Sequence, residues 1–277
     1  MLIDFHTHFF PDKIAINTVS YLRRKMIELE LIQHPELEGE ELYPICTDAT
    51  YKSTIDVMNR SEVDKFVLLP VATNETQVAN VNKYAEKMRS DNIISFGAVY
   101  PYQKDYEYVL EDLKIRGFKG IKLHPEEQNI QIDSPEAIRV MKKAADLGMY
   151  IVVHAGEYPG YEAPFHSSPK QFLNAMQEVD GSKIVAAHLG GINMFDDVEK
   201  YLVGTDIILD TAYISKVIDF EQYKRIILNH GAEKVIFGSD CPWQDPQETL
   251  EDLKSLNLDE EAMELITHKN AERMLGL

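Results

Sequence analysis

The chain has 277 residues, 44% of them hydrophobic, and a formal net charge of -18. This length fits one large soluble domain, and the acidity argues against a nucleic-acid partner, because binding to phosphates relies on Lys and Arg. No stretch approaches the ~20 apolar residues that span a bilayer, and no signal-peptide pattern opens the chain. We therefore expect a cytoplasmic protein that does not bind membranes.

Apolar runs typical of short buried strands alternate with amphipathic helical patterns along the chain. The predicted strands are residues 2–5, 65–70, 93–99, 120–123, 150–154, 183–187, 207–209 and 235–238. The predicted helices include residues 74–90, 105–116, 134–147, 168–180, 215–230 and a helical segment from about 246 onward. Eight strands, each followed by a helix, indicate an α/β fold, a TIM (β/α)8 barrel that spans residues 1–277 as a single domain.

An insertion, from residue 10 to about 47, follows the first predicted strand. Its sequence predicts a helix over residues 14–31 and then a loop that carries Pro35, Gly39 and Pro44. Because the insertion follows a strand, we expect it at the barrel mouth, where it either covers the substrate pocket or is a passive decoration. Its apolar residues are also compatible with a homodimer.

A histidine pair, His6-Thr7-His8, closes the first predicted strand. Side chains two residues apart on a strand point the same way, so both imidazoles can reach one metal ion. Such a pair also arises by chance, and its weight comes from the polar residues that close later strands. These are Lys122 and His124 on the fourth, His154 on the fifth, His188 on the sixth and Asp240 on the eighth.

The C-terminal ends of parallel strands meet at one rim of a barrel, where the active site of such a fold forms. Imidazoles and a carboxylate suit zinc or a similar divalent ion, with a position left for water. Isolated histidines at strand ends are often core residues satisfied by hydrogen bonds, but the shared register of His154 and His188 favours a ligand or catalytic role. The histidines at positions 34, 166, 230 and 268 lack this placement and are predicted surface or loop residues, although His166, in the loop after the fifth strand, could still reach the pocket.

Together these motifs resemble the amidohydrolase superfamily, in its branch of TIM-barrel metal-dependent hydrolases related to aminocarboxymuconate-semialdehyde decarboxylase. The matching segments, which span nearly the whole chain, are Asp4-Phe5-His6-Thr7-His8, Gly120-Ile121-Lys122-Leu123-His124-Pro125, Val153-His154-Ala155-Gly156, Ala187-His188-Leu189-Gly190-Gly191 and Gly238-Ser239-Asp240-Cys241-Pro242-Trp243. The resemblance implies that the metal shell is formed by His6, His8, His154 and Asp240. It also implies that His188 contacts water or substrate.

Lys122 leaves the number of metal ions open. Binuclear relatives carry a carboxylated lysine on this strand that bridges two ions, and the context of Lys122 resembles that of dihydroorotase. Modification of Lys122 would direct His154 and His188 to the second ion. The decarboxylase-like relatives hold one ion without a bridge. We favour one ion, with unmodified Lys122 and His124 binding a substrate carboxylate.

The site predicts a metal-dependent hydrolase. Water bound to a divalent ion has its pKa lowered from about 15.7 to about 7. Asp240 can take the proton of that water and pass it to the leaving group, while His188 orients the water or stabilises the oxyanion. The expected substrate is a small carboxylate-bearing ester, lactone or cyclic amide.

Two other functions fit the same scaffold. The first is metal-dependent non-oxidative decarboxylation of a small unsaturated or aromatic acid, in which Asp240 or metal-bound water protonates the carbon that loses carbon dioxide. The second is a barrel that binds a ligand without turning it over. The complete set of polar groups at the strand ends argues against this last function.

Overall fold

The computed structural model describes residues 1–33, 44–159 and 161–277. Its strands are short, and we number them β1 to β9 in chain order. They are Ile3–Thr7, Lys65–Leu68, Ile93–Ser95, Gly97–Ala98, Gly120–Leu123, Tyr150–Val153, Ile184–Ala186, Ile208–Asp210 and Val235–Ile236. Every predicted strand is therefore present, within a few residues of its expected bounds.

The strands form two parallel sheets, β1 to β3 and β4 to β9, which follow each other around a barrel of short strands. Within each sheet, strands that are consecutive in the chain are paired in parallel. The pairs are β1–β2 and β2–β3 in the first sheet, and β4–β5, β5–β6, β6–β7, β7–β8 and β8–β9 in the second. Three backbone hydrogen bonds join the region after β9 to the first strand region: Phe5 N donates to Phe237 O and Asp240 N to His6 O, both at 2.8 Å, and His8 N donates to Cys241 O at 2.7 Å. The architecture confirms the predicted α/β fold with TIM-barrel topology.

The third predicted strand is interrupted, and β3 and β4 are its two halves. Phe96 lies between them, and its backbone N–H still donates to Leu68 O at 3.0 Å. Its ring is fully buried and packs edge-on against Phe5, with 5.6 Å between ring centroids. The interruption therefore falls where an aromatic side chain fills the barrel interior.

Helices follow the strands along the chain, and we number them α1 to α12. They are Asp12–Gln33, Tyr51–Arg60, Glu75–Lys87, Tyr106–Ile115, Pro125–Gln128, Pro135–Asp146, Pro169–Ala175, Phe195–Tyr201, Phe220–His230, Pro246–Ser255, Glu260–Glu264 and Asn270–Leu275. The insertion helix is confirmed as α1, whereas α2 had not been singled out from the sequence. Pro35 and Gly39 of the predicted insertion loop lie outside the described residues. In the part of the chain that the structure describes, no helix is long and apolar enough to cross a membrane.

The strands separate two apolar layers. Alternation is clear on β6, where Ile151 and Val153 face the helices and Val152 faces the barrel interior. The interior cluster is closed by α12, which contributes Ala271, Met274 and Leu275. The strand members of this cluster are Ile3, Phe5, Val67, Leu69, Phe96, Val152, Val185, Ile208 and Ile236. This apolar layer fixes the strands whose C-terminal ends carry the polar residues.

His230 is buried, whereas the sequence had predicted a surface or loop position. It is 2% exposed at the end of α9, where its Nε2 atom lies 2.8 Å from Ile207 O and its Nδ1 atom accepts from Gly204 N at 3.2 Å. Burial lowers the pKa of His230 below its ordinary value. The residue ties the end of α9 to the segment just before β8, the strand that precedes this helix, a role that local sequence does not reveal.

Candidate functional site

Three of the four predicted metal ligands converge at the C-terminal rim of the barrel. His6 Nε2 lies 3.2 Å from His8 Nε2. Asp240 Oδ1 lies 3.5 Å from His6 Nε2 and 3.3 Å from His8 Nε2. His6 and His8 come from β1 and the residue after it, whereas Asp240 follows β9 in a left-handed conformation, with φ of 68°. Segments more than 200 residues apart in sequence thus deliver three ligand atoms to one point.

The outer ring nitrogens determine which way the two imidazoles face. His6 Nδ1 lies 2.8 Å from Asp210 Oδ2, and His8 Nδ1 lies 2.7 Å from Leu69 O. A carbonyl or carboxylate oxygen accepts, so each Nδ1 carries the hydrogen and each Nε2 of the neutral ring keeps a lone pair. Three acceptor atoms therefore face one another, which is the arrangement that a cation between them would stabilise.

The protonation states suit a cation as well. Burial lowers the pKa of His6 well below its ordinary value, and the charge of Lys122 acts in the same direction. For Asp240, burial raises the pKa, but the surrounding imidazoles of His6, His8 and His188 outweigh it and bring the pKa to about 2. The neutral imidazole of His6 beside the ionised carboxylate of Asp240 is the form of this pair that binds a divalent metal.

His154, the fourth predicted ligand, lies in a second group with His188. His188 Nε2 is 2.9 Å from His154 Nδ1. The outer nitrogens of the two rings face backbone carbonyls, with His154 Nε2 at 3.0 Å from Glu157 O and His188 Nδ1 at 2.9 Å from Ala212 O. Among the described residues, the group that offers one ligand atom each within coordination distance contains His6, His8 and Asp240 but not His154.

The facing nitrogens of His154 and His188 are acceptors that face each other, like the ligand atoms of the first group. Both outer nitrogens carry the hydrogen, because the carbonyls accept, so the two inner nitrogens are lone pairs that face each other. Burial lowers the pKa of both rings, which disfavours a shared extra proton. This pair is therefore a second place at which a cation would relieve the contact between acceptors.

Lys122 lies within the first group rather than beside it. Its Nζ atom is 3.1 Å from His6 Nε2, and the residue is 1% exposed. Burial lowers the pKa of Lys122 to about 8, although the carboxylates of Asp210 and Asp240 act in the opposite direction. Its amine is thus mainly charged at neutral pH, with a minor neutral fraction.

His124 lies between the histidine pair and an aromatic wall. Its ring stacks on that of His154, with centroids 4.5 Å apart and planes 8° apart, and meets the edge of the Tyr158 ring at 4.5 Å. Its Nδ1 atom is buried and has no hydrogen-bond partner among the described residues. A buried nitrogen of this kind is available to a bound substrate.

Sequence analysis had not singled out Asp210 or Tyr158. Asp210 directly follows the predicted strand 207–209, so its position at a strand end was the signal that could have found it. Its Oδ1 atom accepts from His188 N at 2.8 Å, while Oδ2 faces His6, so one carboxylate joins both histidine groups. Tyr158 lies in the loop after β6, where no periodic pattern marks it.

A polar chain links the insertion helix to this rim. Lys25 on α1 donates to Tyr161 OH at 3.2 Å and lies 4.3 Å above the Tyr161 ring. Tyr161 in turn donates to Glu127 Oε1 at 3.4 Å, and its ring lies 5.4 Å from that of Tyr158. The insertion therefore contacts the loop after β6, as expected for a segment at the barrel mouth.

Comparison with known proteins gives a family and a fold. The amidohydrolase family model matches residues 3–277. A comparison with curated proteins finds no match. Among solved structures, a probable 2-pyrone-4,6-dicarboxylic acid hydrolase from Acinetobacter baumannii, with citric acid bound, has a TM-score of 0.64 at 17% identity and covers 100% of this chain and 99% of its own.

Two decarboxylases share the fold to a similar degree. A 2,6-dihydroxybenzoate decarboxylase, solved with its substrate, has a TM-score of 0.67 at 14% identity, over 100% of this chain and 99% of the other. A 5-carboxyvanillate decarboxylase from Novosphingobium aromaticivorans, solved with manganese and a nitrobenzoic acid, has a TM-score of 0.70 at 14% identity, over 100% and 96%. At these identities the likeness shows the barrel fold, which hosts both reaction types.

Proposed function

We propose that this chain, which belongs to the amidohydrolase family, is a metal-dependent hydrolase that acts on a small carboxylate-bearing ester, lactone or cyclic amide. The observation that carries the proposal is the convergence of His6 Nε2, His8 Nε2 and Asp240 Oδ1, all within 3.5 Å of one another. Both imidazoles are turned so that their lone pairs face the carboxylate. This donor set of two nitrogens and one oxygen fits zinc, manganese or iron.

His6, His8 and Asp240 would hold the ion. A divalent ion supplies Lewis acidity, which lowers the pKa of water from about 15.7 to about 7 and polarises a carbonyl. His154 can join as the fourth ligand, as the family resemblance implies, if its Nδ1 atom leaves His188. Asp210 supports this set of ligands, because its carboxylate accepts a hydrogen bond from His6 Nδ1 and so fixes the orientation of the ring.

Asp240 is the proposed proton carrier. Its low pKa keeps it ionised at neutral pH, so it can accept a proton from water at Oδ1 or its second oxygen and return it to a leaving group. His188 is the proposed oxyanion-side group, since its ring lies 5.3 Å from that of His6 and is fixed through Nδ1 by Ala212 O.

Lys122, His124 and Tyr158 form the proposed substrate side. The charged amine of Lys122 attracts a substrate carboxylate, and the unpartnered Nδ1 of His124 can hydrogen-bond to it. The ring of Tyr158 stands against His124 and would pack on the face or edge of a planar substrate. Burial, with Glu127 acting in the same direction, raises the pKa of Tyr158, so its hydroxyl stays protonated and can donate.

A two-ion site is the alternative for the cofactor. The facing lone pairs of His154 and His188, 2.9 Å apart, support a second ion there, provided that Lys122 is carboxylated and bridges to the first. The lowered pKa of Lys122, about 8, favours this modification, because carbon dioxide adds to the neutral amine. We retain one ion as the main proposal, and the measured metal content decides between the two.

Decarboxylation of a small unsaturated or aromatic acid is the second candidate function. It is supported by the aromatic wall of His124, Tyr158 and Tyr161, which suits a planar ring, and by the decarboxylases that share the fold. In this reaction Lys122 and His124 would orient the acid, and the proton would reach the ring carbon from water held by the ion, either directly or by way of Asp240.

One experiment separates the two reactions. The chain, reconstituted separately with Zn²⁺ and Mn²⁺, is incubated in ¹⁸O-labelled water with panels of lactones, esters, cyclic amides and hydroxybenzoates, beside an Asp240→Asn variant as control. Hydrolysis predicts one labelled oxygen in the product, lost in the variant. Release of carbon dioxide with no labelled oxygen in the remaining organic product would replace the hydrolase proposal by the decarboxylase proposal. A metal-loaded chain that binds these compounds but converts none of them would contradict both.

A further inference from the structure

The two cysteines of the chain lie in contact beside the metal group. Cys46 follows the insertion helix, Cys241 comes directly after Asp240, and they are 195 residues apart in sequence. Their Sγ atoms are nevertheless 3.6 Å apart, and both are free thiols. Because the chain has no other cysteine, each has a single possible intramolecular partner.

Backbone contacts hold the two residues in this position. Cys46 N donates to Pro242 O at 2.9 Å, and Cys46 Sγ lies 3.4 Å from Gln244 O. On the other side, Cys241 O accepts from His8 N at 2.7 Å. The sulfur atoms need to approach by only about 1.5 Å to reach the S–S bond length of about 2.05 Å.

We propose that Cys46 and Cys241 form a redox modification site, at which a small disulfide such as oxidised glutathione converts both thiols to an intramolecular disulfide that weakens metal binding. Cys46 is partly exposed and Cys241 is buried, so the external reagent meets Cys46 first. Buried Cys241 reacts only with its neighbour in the chain, which makes the order of the two steps definite.

The chemistry is two thiol–disulfide exchanges. The Cys46 thiol gives its proton to water and its sulfur attacks one glutathione sulfur; the glutathione S–S bond breaks, and the released thiolate takes up a proton. The Cys241 sulfur, deprotonated in turn, attacks the Cys46 sulfur and displaces the second glutathione, which is likewise protonated. The chain loses two electrons and two protons, and one glutathione disulfide becomes two glutathione thiols.

The modification would reach the metal group through the backbone. Asp240 N donates to His6 O at 2.8 Å and His8 N donates to Cys241 O at 2.7 Å, so the loop that carries Cys241 is bonded to both histidine residues. Drawing Cys241 Sγ toward Cys46 shifts this loop and with it Asp240. Since changes around a ligand shell alter metal affinity by about 10–100-fold, we expect roughly tenfold weaker binding after oxidation. This consequence rests on the proposed metal-dependent function.

Intact-mass measurement tests the modification itself. Wild-type chain and a Cys46→Ser variant are treated with oxidised glutathione, denatured, alkylated and weighed, with a dithiothreitol-reversed sample beside each. The oxidised wild type should be lighter by the mass of two hydrogen atoms, should carry no glutathione and should have no thiol left to alkylate. Reduction should restore the original mass and both thiols. The variant should keep its one thiol. A stable glutathione adduct on Cys46 with Cys241 still alkylatable, or two unmodified thiols, would overturn the proposal.

Chelator competition with Zn²⁺ tests the consequence, and the emission of Trp243 reports on the loop independently of metal. Trp243 is the only tryptophan, and its backbone N–H donates to Asp240 O at 2.8 Å. Oxidation should weaken zinc binding about tenfold and shift the emission in the wild type but not in Cys46→Ser. Equal affinity and emission in both redox states would overturn the proposal. A reduced chain that binds no zinc at all would instead contradict the proposed function, while the mass measurement still decides the disulfide.

Discussion

The interior of the barrel and its C-terminal rim are built by the same strands but differ in how their side chains are satisfied. On β6, Val152 packs in the interior, whereas His154, two residues later, faces His188 at the rim. Both layers are buried, but interior side chains bring no polar atoms, while the rim brings acceptors that face acceptors. The interior therefore stabilises the fold, whereas an ion bound at the rim would stabilise acceptors that otherwise face one another, since buried polar groups without partners are destabilising.

A substitution at Asp240 changes the rim and leaves the interior side chains unchanged. Asp240→Asn removes the proposed proton carrier and one ligand charge, so we expect kcat to fall about 10²–10⁴-fold. Circular dichroism should show an unchanged fold, because the change is nearly isosteric. Asp206→Asn, at an exposed position before β8, is the matched control. A variant with wild-type kcat would contradict the role of Asp240.

The reverse change affects the interior alone. Phe5→Ala deletes a fully buried ring that packs on Phe96, and we expect the free energy of unfolding to fall by about 3–5 kcal/mol. Urea denaturation of the metal-free chain measures this loss. The metal content per folded molecule should stay at the wild-type value at a temperature where the variant is folded. Loss of metal from a folded Phe5→Ala chain would show that interior and rim are not separable.

Asp210→Asn tests the hydrogen bond that orients the metal ligand His6. The carboxylate that holds His6 Nδ1 becomes an amide, which weakens the orientation of the ring, so metal affinity should fall about 10–100-fold. Competition with a chelator gives the dissociation constant. The same Asp206→Asn variant serves as control. An unchanged dissociation constant would mean that Asp210 is only a structural residue.

His124→Ala addresses the substrate side. A hydrogen bond to a charged group contributes about 1.5–3 kcal/mol, so KM should rise about tenfold or more with little change in kcat. His268→Ala, at a partly exposed position far along the chain, is the control. A fall in kcat at constant KM would show that His124 acts in the chemical step and not in substrate binding.

The smallest expected effect lies away from the site, at His230. Burial lowers its folded-state pKa below the unfolded value of about 6.5, so the unfolded chain binds the proton more readily. Its contribution to stability is therefore present above about pH 6.5 and is lost as the pH falls below it. The difference in unfolding free energy between the wild type and His230→Gln, measured by urea denaturation, should shrink between pH 7 and pH 5. A difference that grows on acidification would contradict this sign.

The sequence predicted the barrel well because apolar strand runs and their spacing are local signals. The predicted strand at 120–123 matches β5, and the His6-Thr7-His8 spacing correctly predicted adjacent imidazoles. What it did not reveal depends on tertiary packing. The alternation of a strand predicts the face on which His154 lies but not that its ring nitrogens meet His188 and Glu157. The apolar run of residues 93–99 likewise does not reveal that the strand is interrupted at Phe96, whose ring packs on Phe5.

We expect His6, His8 and Asp240 to bind a divalent metal ion, and the metal content per folded molecule measures this binding. After reconstitution with Zn²⁺ or Mn²⁺ and removal of free metal, the wild type should retain at least one equivalent. A His8→Ala variant with the same circular dichroism spectrum should lose it. A folded wild-type chain that retains no divalent metal, or a His8→Ala chain that retains as much as the wild type, would contradict the account.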